Sequence, residues 1–111
     1  MRGENEKLPI NVYVKNFPTT DVLMEYIHKR LDDLNKFSDL AQHLDIHLEE
    51  ERGLYKGVGV LKLKGRTLRV EVKNKDPMSV VDEMKDILSR EIKKVKDKLT
   101  KERRRERGEI D

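Results

Sequence analysis

The chain has 111 residues, which is the size of one ordinary domain. Charged residues make up 42% of it and hydrophobic residues 35%, and 25 Lys+Arg against 22 Asp+Glu leave a net charge of only +3. The absence of cysteine excludes a disulfide scaffold, a thiolate zinc site and a cysteine nucleophile. No apolar run approaches the roughly 18 residues of a membrane span, and the N-terminus lacks the apolar stretch of a secretory signal. We therefore expect a soluble, cytoplasmic, single-domain protein.

Positive charge is concentrated toward the C-terminus. From Lys85 to Arg107 there are eleven basic residues and five acidic ones, whereas from Asp32 to Glu51 there are seven acids and one lysine. A basic segment attached to a near-neutral body indicates contact with a polyanion. A solvated helix face with ion pairs along it would have the same composition, so charge alone does not decide between these two interpretations.

The first half of the chain predicts a strand, a helix and a second strand. Apolar residues alternate over Ile10–Val14, the pattern of a half-buried strand. Thr20 and Asp21 resemble a helix start, in which a capping hydroxyl is followed by an acid near the positive end of the helix dipole. Helical spacing of apolar residues then continues to about Phe37. Alternation resumes over Leu44–Leu48, which predicts a second strand with one apolar face.

The second half predicts two more strands and a long helix. A turn at Gly53 leads into the third strand, and a tight reversal at Gly65 separates it from the fourth. Asp76 places a capping carboxylate before Pro77, which is favoured at the first helical position because its missing N–H costs nothing there. Apolar residues then recur at steps of three or four as far as Leu99, so this helix is at least about 35 Å long.

These elements predict an α+β fold of order β-α-β-β-β-α, with a four-stranded sheet that carries both helices on one face. We divide the chain into a flexible N-terminus (1–8), the folded domain (9–99) and a charged tail (100–111) that is frayed or disordered. Seven residues are predicted to be buried together: Val12, Leu31, Ile46, Leu61, Val70, Val81 and Leu88.

Catalytic and metal-binding motifs have little support. The sequence has no nucleophile elbow, and Gly57-Val58-Gly59 lacks the third glycine of a phosphate-cradling loop, so these glycines indicate close packing of a helix on the strand. His43 and His47 have the i, i+4 spacing of a helical metal pair, but they fall where a loop enters a strand. We therefore predict that the protein is not an enzyme and needs no metal or cofactor.

The last helix carries basic residues opposite its apolar stripe. Acids lie near its start and bases near its end, as the helix dipole favours. The number of bases exceeds what the dipole explains, and a ladder of lysines and arginines is the usual way to grip a phosphate backbone without reading bases. A coiled coil is a further interpretation, but the apolar stripe covers fewer than three heptads.

Three stretches of the sequence are similar to a known family. Residues 76–82 (DPMSVVD) resemble a helix start of the form Asp-Met-Tyr-Ala-Ala-Ile-Asp, and residues 88–99 (LSREIKKVKDKL) are similar to Leu-x-Arg-Gln-Leu-x-Lys-His-Lys-x-Lys-Leu. Residues 20–27 (TDVLMEYI) resemble Thr-x-Ala-Leu-Arg-Glu-Tyr-Val. Together with the element order, these stretches resemble the ribosome hibernation-promoting factors, also called ribosome-associated inhibitors, in their short form.

The resemblance implies a factor that binds the small ribosomal subunit in the channel of tRNA and mRNA and inhibits translation by occupying it. The partner would be rRNA phosphate, with no small-molecule substrate and no membrane, and we expect the isolated chain to be monomeric. The predicted rRNA-binding residues lie in the two helices. They are Arg30 in the first helix, and Arg90, Lys93, Lys94, Lys96, Lys98 and Lys101 in the second.

The sequence also departs from the family. Pro77 and Met78 replace a Met-Tyr pair, Met24 stands where arginine is usual, and Asp32 and Asp33 lie in a stretch that is often basic. These changes weaken the first helix as an RNA-facing surface and leave the second with most of the positive charge. Two other functions stay open: a protein-interaction module that uses the long helix, and a domain that binds double-stranded RNA.

Overall fold

The structure, a computed structural model, describes residues 7–108 of the chain, with side chains through residue 98. Its elements in chain order are β1 (Ile10–Lys15), α1 (Asp21–Leu31), a 3₁₀ helix (Asp32–Phe37), β2 (Ala41–Glu51), β3 (Leu54–Leu63), β4 (Arg66–Asn74) and α2 (Pro77–Gly108). This order confirms the predicted α+β fold.

The four strands form one sheet in the order β1-β2-β3-β4. β1 is parallel to β2, and the remaining neighbours are antiparallel. A parallel pair needs a crossover connection, which α1 and the 3₁₀ helix provide. The register aligns Val12, Ile46, Gly59 and Val70 in one row across the sheet, so these four positions lie on one face.

One apolar core lies between this sheet face and the two helices. Ile27 and Leu31 of α1, and Val81 and Leu88 of α2, are buried in the same cluster as the inward residues of β2, β3 and β4. Six of the seven predicted core residues are buried there, and Val12, on an edge strand, is half-buried against the cluster. Both helices therefore cover one face of the sheet, as predicted.

Both helix starts are confirmed. The Leu23 N–H donates to Thr20 Oγ1 over 3.1 Å, so the Thr20 side chain caps α1. At α2 the Ser79 N–H donates to Asp76 Oδ2 over 3.3 Å, and Pro77 is the first helical residue. Local capping chemistry thus determines where each helix begins.

The first helix is shorter than its periodicity predicts. The α-helix ends at Leu31, and the chain continues as a 3₁₀ helix to Phe37. Leu31, Leu34 and Phe37 are all buried and follow one another at steps of three. Because a 3₁₀ helix has three residues per turn, this spacing places all three on one side.

Described structure continues on both sides of the predicted domain, residues 9–99. Leu8 is buried, and its N–H donates to Asn35 Oδ1 over 2.8 Å, so the packed domain includes Leu8. Residues 1–6 lie outside the described residues. α2 extends to Gly108, past Leu99, while fraying of the charged tail stays a prediction.

α2 packs closely on the sheet at Gly57. A Cβ atom built at Gly57 would overlap the Val80 side chain and lie 2.7 Å from Met84 Cε. At Gly59 the nearest atom would be Ile46 Cδ1, at 3.3 Å. Packing therefore explains the Gly57-Val58-Gly59 motif, as the sequence indicated.

Candidate nucleic-acid interface

The outer side of α2 carries part of the predicted basic set. Burial along this helix ends at Ile92 and the half-buried Val95, and the other residues from 93 to 98 are exposed. At 100° per residue, Arg90, Lys93 and Lys94 point away from the buried side. We call these three residues the outer basic stripe.

The stripe is open to solvent. The Lys94 side chain is 70% exposed, and its ammonium group lies 3.4 Å from Glu91 Oε2, a surface pair of the kind that contributes little. Arg90 lines a shallow depression of about 260 Å³ with Glu83, Asp86 and Ile87. Among the side chains that the structure describes, neither Arg90 nor Lys93 takes part in an ion pair, so both are available to a phosphate.

Lys96, Lys98 and Lys101 do not all extend this stripe. Lys96 faces the 3₁₀ helix, with its Nζ 3.8 Å from Asp39 Oδ2 and 5.9 Å from the ring centre of Phe37. Lys98 is exposed and, two residues further along, lies on the opposite flank of α2. Lys101 is in the helix, but its side chain lies outside the described residues.

Arg30 is bound to an acid of the other helix. Its Nε donates to Asp82 Oδ1 over 2.8 Å, and the Tyr26 hydroxyl donates to the two oxygens of the same carboxylate over 3.0 and 2.8 Å. The Arg30 side chain is 40% exposed, and its guanidinium carbon lies 6.0 Å from the ring centre of Tyr26. Arg30 therefore links α1 to α2 and is not part of the outer basic stripe.

The Asp82 carboxylate raises the pKa of both Tyr26 and Arg30. The hydrogen bond from the Tyr26 hydroxyl to this carboxylate raises the pKa of Tyr26, and burial and the negative charge act in the same direction. The hydrogen bond from Arg30 to Asp82 likewise raises the pKa of Arg30. A neutral phenol and a charged guanidinium are the forms that this geometry stabilises.

Further ion pairs join the segment after α1 to α2. Lys85 Nζ lies 3.1 Å from Asp33 Oδ2, and the Lys85 side chain is only 17% exposed. Asp33, one of the acids that depart from the family pattern, thus faces α2. Sequence reasoning missed Lys85, although its position four residues after Val81 and three before Leu88 places it beside the apolar stripe.

The other face of the sheet is covered by neither helix. There the ring of Tyr13, which is 52% exposed, stacks on the ring of His47, with centres 4.8 Å apart and planes at 18°. His43 Nδ1 lies 3.8 Å from Asp45 Oδ2. Within the described part of the chain, no group of three or more His, Cys, Asp or Glu side chains could hold a metal ion. No helix in that part is long and apolar enough to cross a membrane.

The domain is therefore an α+β domain in which a mixed four-stranded sheet carries two helices on one face. The second of these helices is basic. The family described as "Sigma 54 modulation protein / S30EA ribosomal protein" matches residues 10–100, and the chain belongs to this family. The match confirms the resemblance found in the sequence motifs. No curated protein sequence matches the chain significantly.

Two solved structures have the same fold. The N-terminal domain of Thermus thermophilus Protein Y aligns with a TM-score of 0.70 and 21% identity, covering 79% of this chain and 99% of that one. A ribosomal subunit interface protein from Coxiella burnetii aligns with a TM-score of 0.73 and 19% identity, covering 80% and 98%. At these identities the similarity shows the fold alone.

Proposed function

We propose that the protein is a ribosome hibernation factor of the cytoplasm, which binds the small ribosomal subunit in the tRNA and mRNA channel. Membership of the family supports ribosome association, and one structural neighbour is a ribosomal subunit interface protein. The observation that carries the proposal is the exposed outer basic stripe, whose cations project away from the core. Exposed lysines and arginines bind phosphate oxygens without reading bases.

The predicted residues divide by role under this proposal. The residues that contact rRNA phosphates are Arg90, Lys93, Lys94 and Lys98. Lys101, further along the same helix, adds a fifth contact. Arg30 is held by Asp82, so it contributes less to binding and more to the contact between the helices. Lys96 has only an exposed pair with Asp39, as weak as that of Lys94, so it also remains a phosphate contact, on another flank of α2. The protein acts by occupying its site and performs no chemistry.

The first prediction tests the helix. The combined variant Arg90→Ala, Lys94→Ala, Lys98→Ala should lose co-sedimentation with the small subunit, because it removes three phosphate contacts. Where binding remains measurable, the slope of log affinity against log salt should fall by about three units, or about one per lost contact. Thermal unfolding should stay at the wild-type temperature, since all three side chains are exposed.

The matched control is Arg52→Ala, Arg69→Ala, Lys75→Ala. It removes the same charge from exposed positions outside α2, so it should keep subunit binding. Undiminished co-sedimentation of the α2 variant would contradict the proposal. If the control variant lost binding equally, net charge would be the cause and not the helix.

Further measurements separate the alternatives. Channel occupancy requires that mRNA and tRNA bound beforehand block association, and that the protein inhibit translation by purified ribosomes. Apolar pairing of the long helix with a protein would depend weakly on salt, whereas phosphate binding weakens steeply. Equal affinity for naked duplex RNA and for the subunit would favour the double-stranded-RNA alternative.

A further inference from the structure

A cleft of about 340 Å³ lies on the open side of the sheet, between the ends of β1 and β2. It is at the end of the domain where α2 begins, since β2 pairs through β3 with the last residues of β4. The outer basic stripe starts 13 residues further along α2, which is about 20 Å away. The cleft is therefore separate from the proposed phosphate-binding surface. Its lining residues are Tyr13, Val14, Lys15, His47, Leu48 and Glu49.

The aromatic pair in this cleft offers a stacking platform. The rings of Tyr13 and His47 already stack on each other, and Tyr13, on the edge strand β1, is 52% exposed, so part of its ring is open to a ligand. An exposed tyrosine on the uncovered face of a four-stranded sheet can stack a nucleic-acid base, since every base has a planar aromatic face.

The polar groups beside the platform narrow the choice of base. Lys15 and Glu49 are directly paired across β1 and β2, on the same face as the two rings. Among the described side chains neither forms an ion pair, so an ammonium donor and a carboxylate acceptor are both available. Guanine presents an acceptor, O6, next to two donors, N1–H and N2–H, on one edge. A lysine donating to O6 and a carboxylate accepting from both N–H groups would match that edge with charge-assisted hydrogen bonds.

We propose that this cleft binds an unpaired guanine of RNA, with the base stacked on Tyr13 and its edge held by Lys15 and Glu49. The row of paired residues continues from Glu49 to Lys56 and Lys73 across the open face, which supplies cations along the path of a connected phosphate backbone. Lys56 also lies 3.5 Å from Glu71, so its charge is partly compensated. The identity of the RNA as ribosomal rests on the proposed function, whereas the guanine site itself does not.

The test compares short single-stranded RNAs. A uridine hexamer with one central guanosine should bind more tightly than the same hexamer with a central adenosine. Tyr13→Ala should weaken guanosine binding by about tenfold to a hundredfold, the range measured for loss of one base stack, while Tyr13→Phe should retain it. Glu49→Gln should reduce the preference for guanosine over adenosine, because the amide accepts from fewer donors.

Several results would overturn the inference. Equal affinity for the two hexamers, or guanosine binding that is unchanged in Tyr13→Ala, would contradict the site. Binding of guanosine monophosphate as tight as that of the hexamer would make it a free-nucleotide site and not an RNA site. The α2 variant serves as the separating control, since it should lose the small subunit but keep the guanosine preference. Loss of the preference with intact subunit binding would contradict the guanine site and leave the proposed function standing.

Discussion

Asp82 joins the two helices through hydrogen bonds. Its carboxylate accepts from both Tyr26 and Arg30, and it lies on the flank of α2 that faces α1. All three side chains are partly exposed, so the contribution of this cluster to stability is moderated by solvent. Its main effect is geometric, because the hydrogen bonds from Tyr26 and Arg30 join α1 to α2 beside the apolar core.

The second prediction concerns the ionisation of Tyr26. Because Asp82 raises its pKa, the folded protein keeps the phenol proton at a pH where the unfolded chain has lost it. The stabilisation is complete below the ordinary tyrosine pKa of about 10 and is lost as the pH rises through the higher folded value. The difference in tyrosinate absorbance between wild type and Tyr26→Phe should titrate above pH 10.

A matched variant checks the cause. In Asp82→Asn the carboxylate is gone, so the Tyr26 titration should move downward. The free energy of unfolding should also fall less steeply above pH 10 in Tyr26→Phe than in wild type. A Tyr26 midpoint at or below its ordinary value would show that the hydrogen bond to Asp82 is absent in solution.

The third prediction concerns Gly57. In Gly57→Ala the new methyl group meets Val80, a β-branched residue with little rotamer freedom in a helix, so α2 must move away from the sheet. Overpacking of this kind costs about 1–3 kcal/mol. Urea unfolding of Gly57→Ala should show a lower midpoint with an unchanged m-value. Gly59→Ala should lower the midpoint less, because its neighbouring side chains lie further away. A wild-type midpoint for Gly57→Ala would mean that α2 packs less closely than described.

At the scale of elements, the fold followed from local signals. Periods of two and of three to four residues identified all four strands and both helices, and Thr20, Asp76 and Pro77 marked the helix starts. These features depend on neighbours in sequence, which is why they could be predicted. The step of three from Leu31 through Phe37 is compatible with an α-helix or a 3₁₀ helix. The change to a 3₁₀ helix therefore could not be predicted.

The candidate site was only partly predictable for the same reason. Helical geometry alone places Arg90, Lys93 and Lys94 on the outer side of α2. The engagement of Arg30 by Asp82, and of Lys96 by Asp39, depends on how α1 and the 3₁₀ helix pack against α2. These contacts are part of the tertiary structure, so a family motif in the sequence does not predict them.

The fourth prediction concerns the acidic turn between β2 and β3. From the sequence we expect Asp32, Asp33, Glu49, Glu50 and Glu51 to face away from rRNA phosphates, because close like charge is costly at a complementary interface. The proposed guanine site revises this expectation for Glu49, whose carboxylate would accept from a base and would not meet a phosphate. Glu50 Oε2 accepts from the Gly53 N–H over 2.9 Å, so charge reversal there would also disturb the turn. Glu51 is exposed and is the cleaner position.

Glu51→Lys should therefore leave subunit binding within about twofold of wild type. The turn lies at the end of the sheet where α2 begins, about 20 Å or more from the outer basic stripe, which exceeds the Debye length of about 8 Å at physiological salt. Co-sedimentation at several protein concentrations provides the measurement. A large loss would show that the acidic turn itself contacts the subunit.

At the scale of the whole molecule, the domain has two unlike faces. One carries both helices and the basic half of α2, and the other is an uncovered sheet with the Tyr13–His47 stack. The molecule measures 59 × 33 × 18 Å, a flat and elongated body. If the protein binds in a channel as proposed, this shape would place its two faces against different walls, so the proposed phosphate and guanine sites would not compete for space.

The excess of bases in the C-terminal half of α2 makes the charge distribution of the protein uneven, which its small net charge conceals. With only +3 overall, the molecule is attracted weakly to a polyanion at long range. The uneven charge nevertheless experiences a torque in the field of RNA, which turns the basic half of α2 forward before contact. Association would thus gain speed from orientation more than from attraction, and the gain would disappear as salt shortens the range of the field.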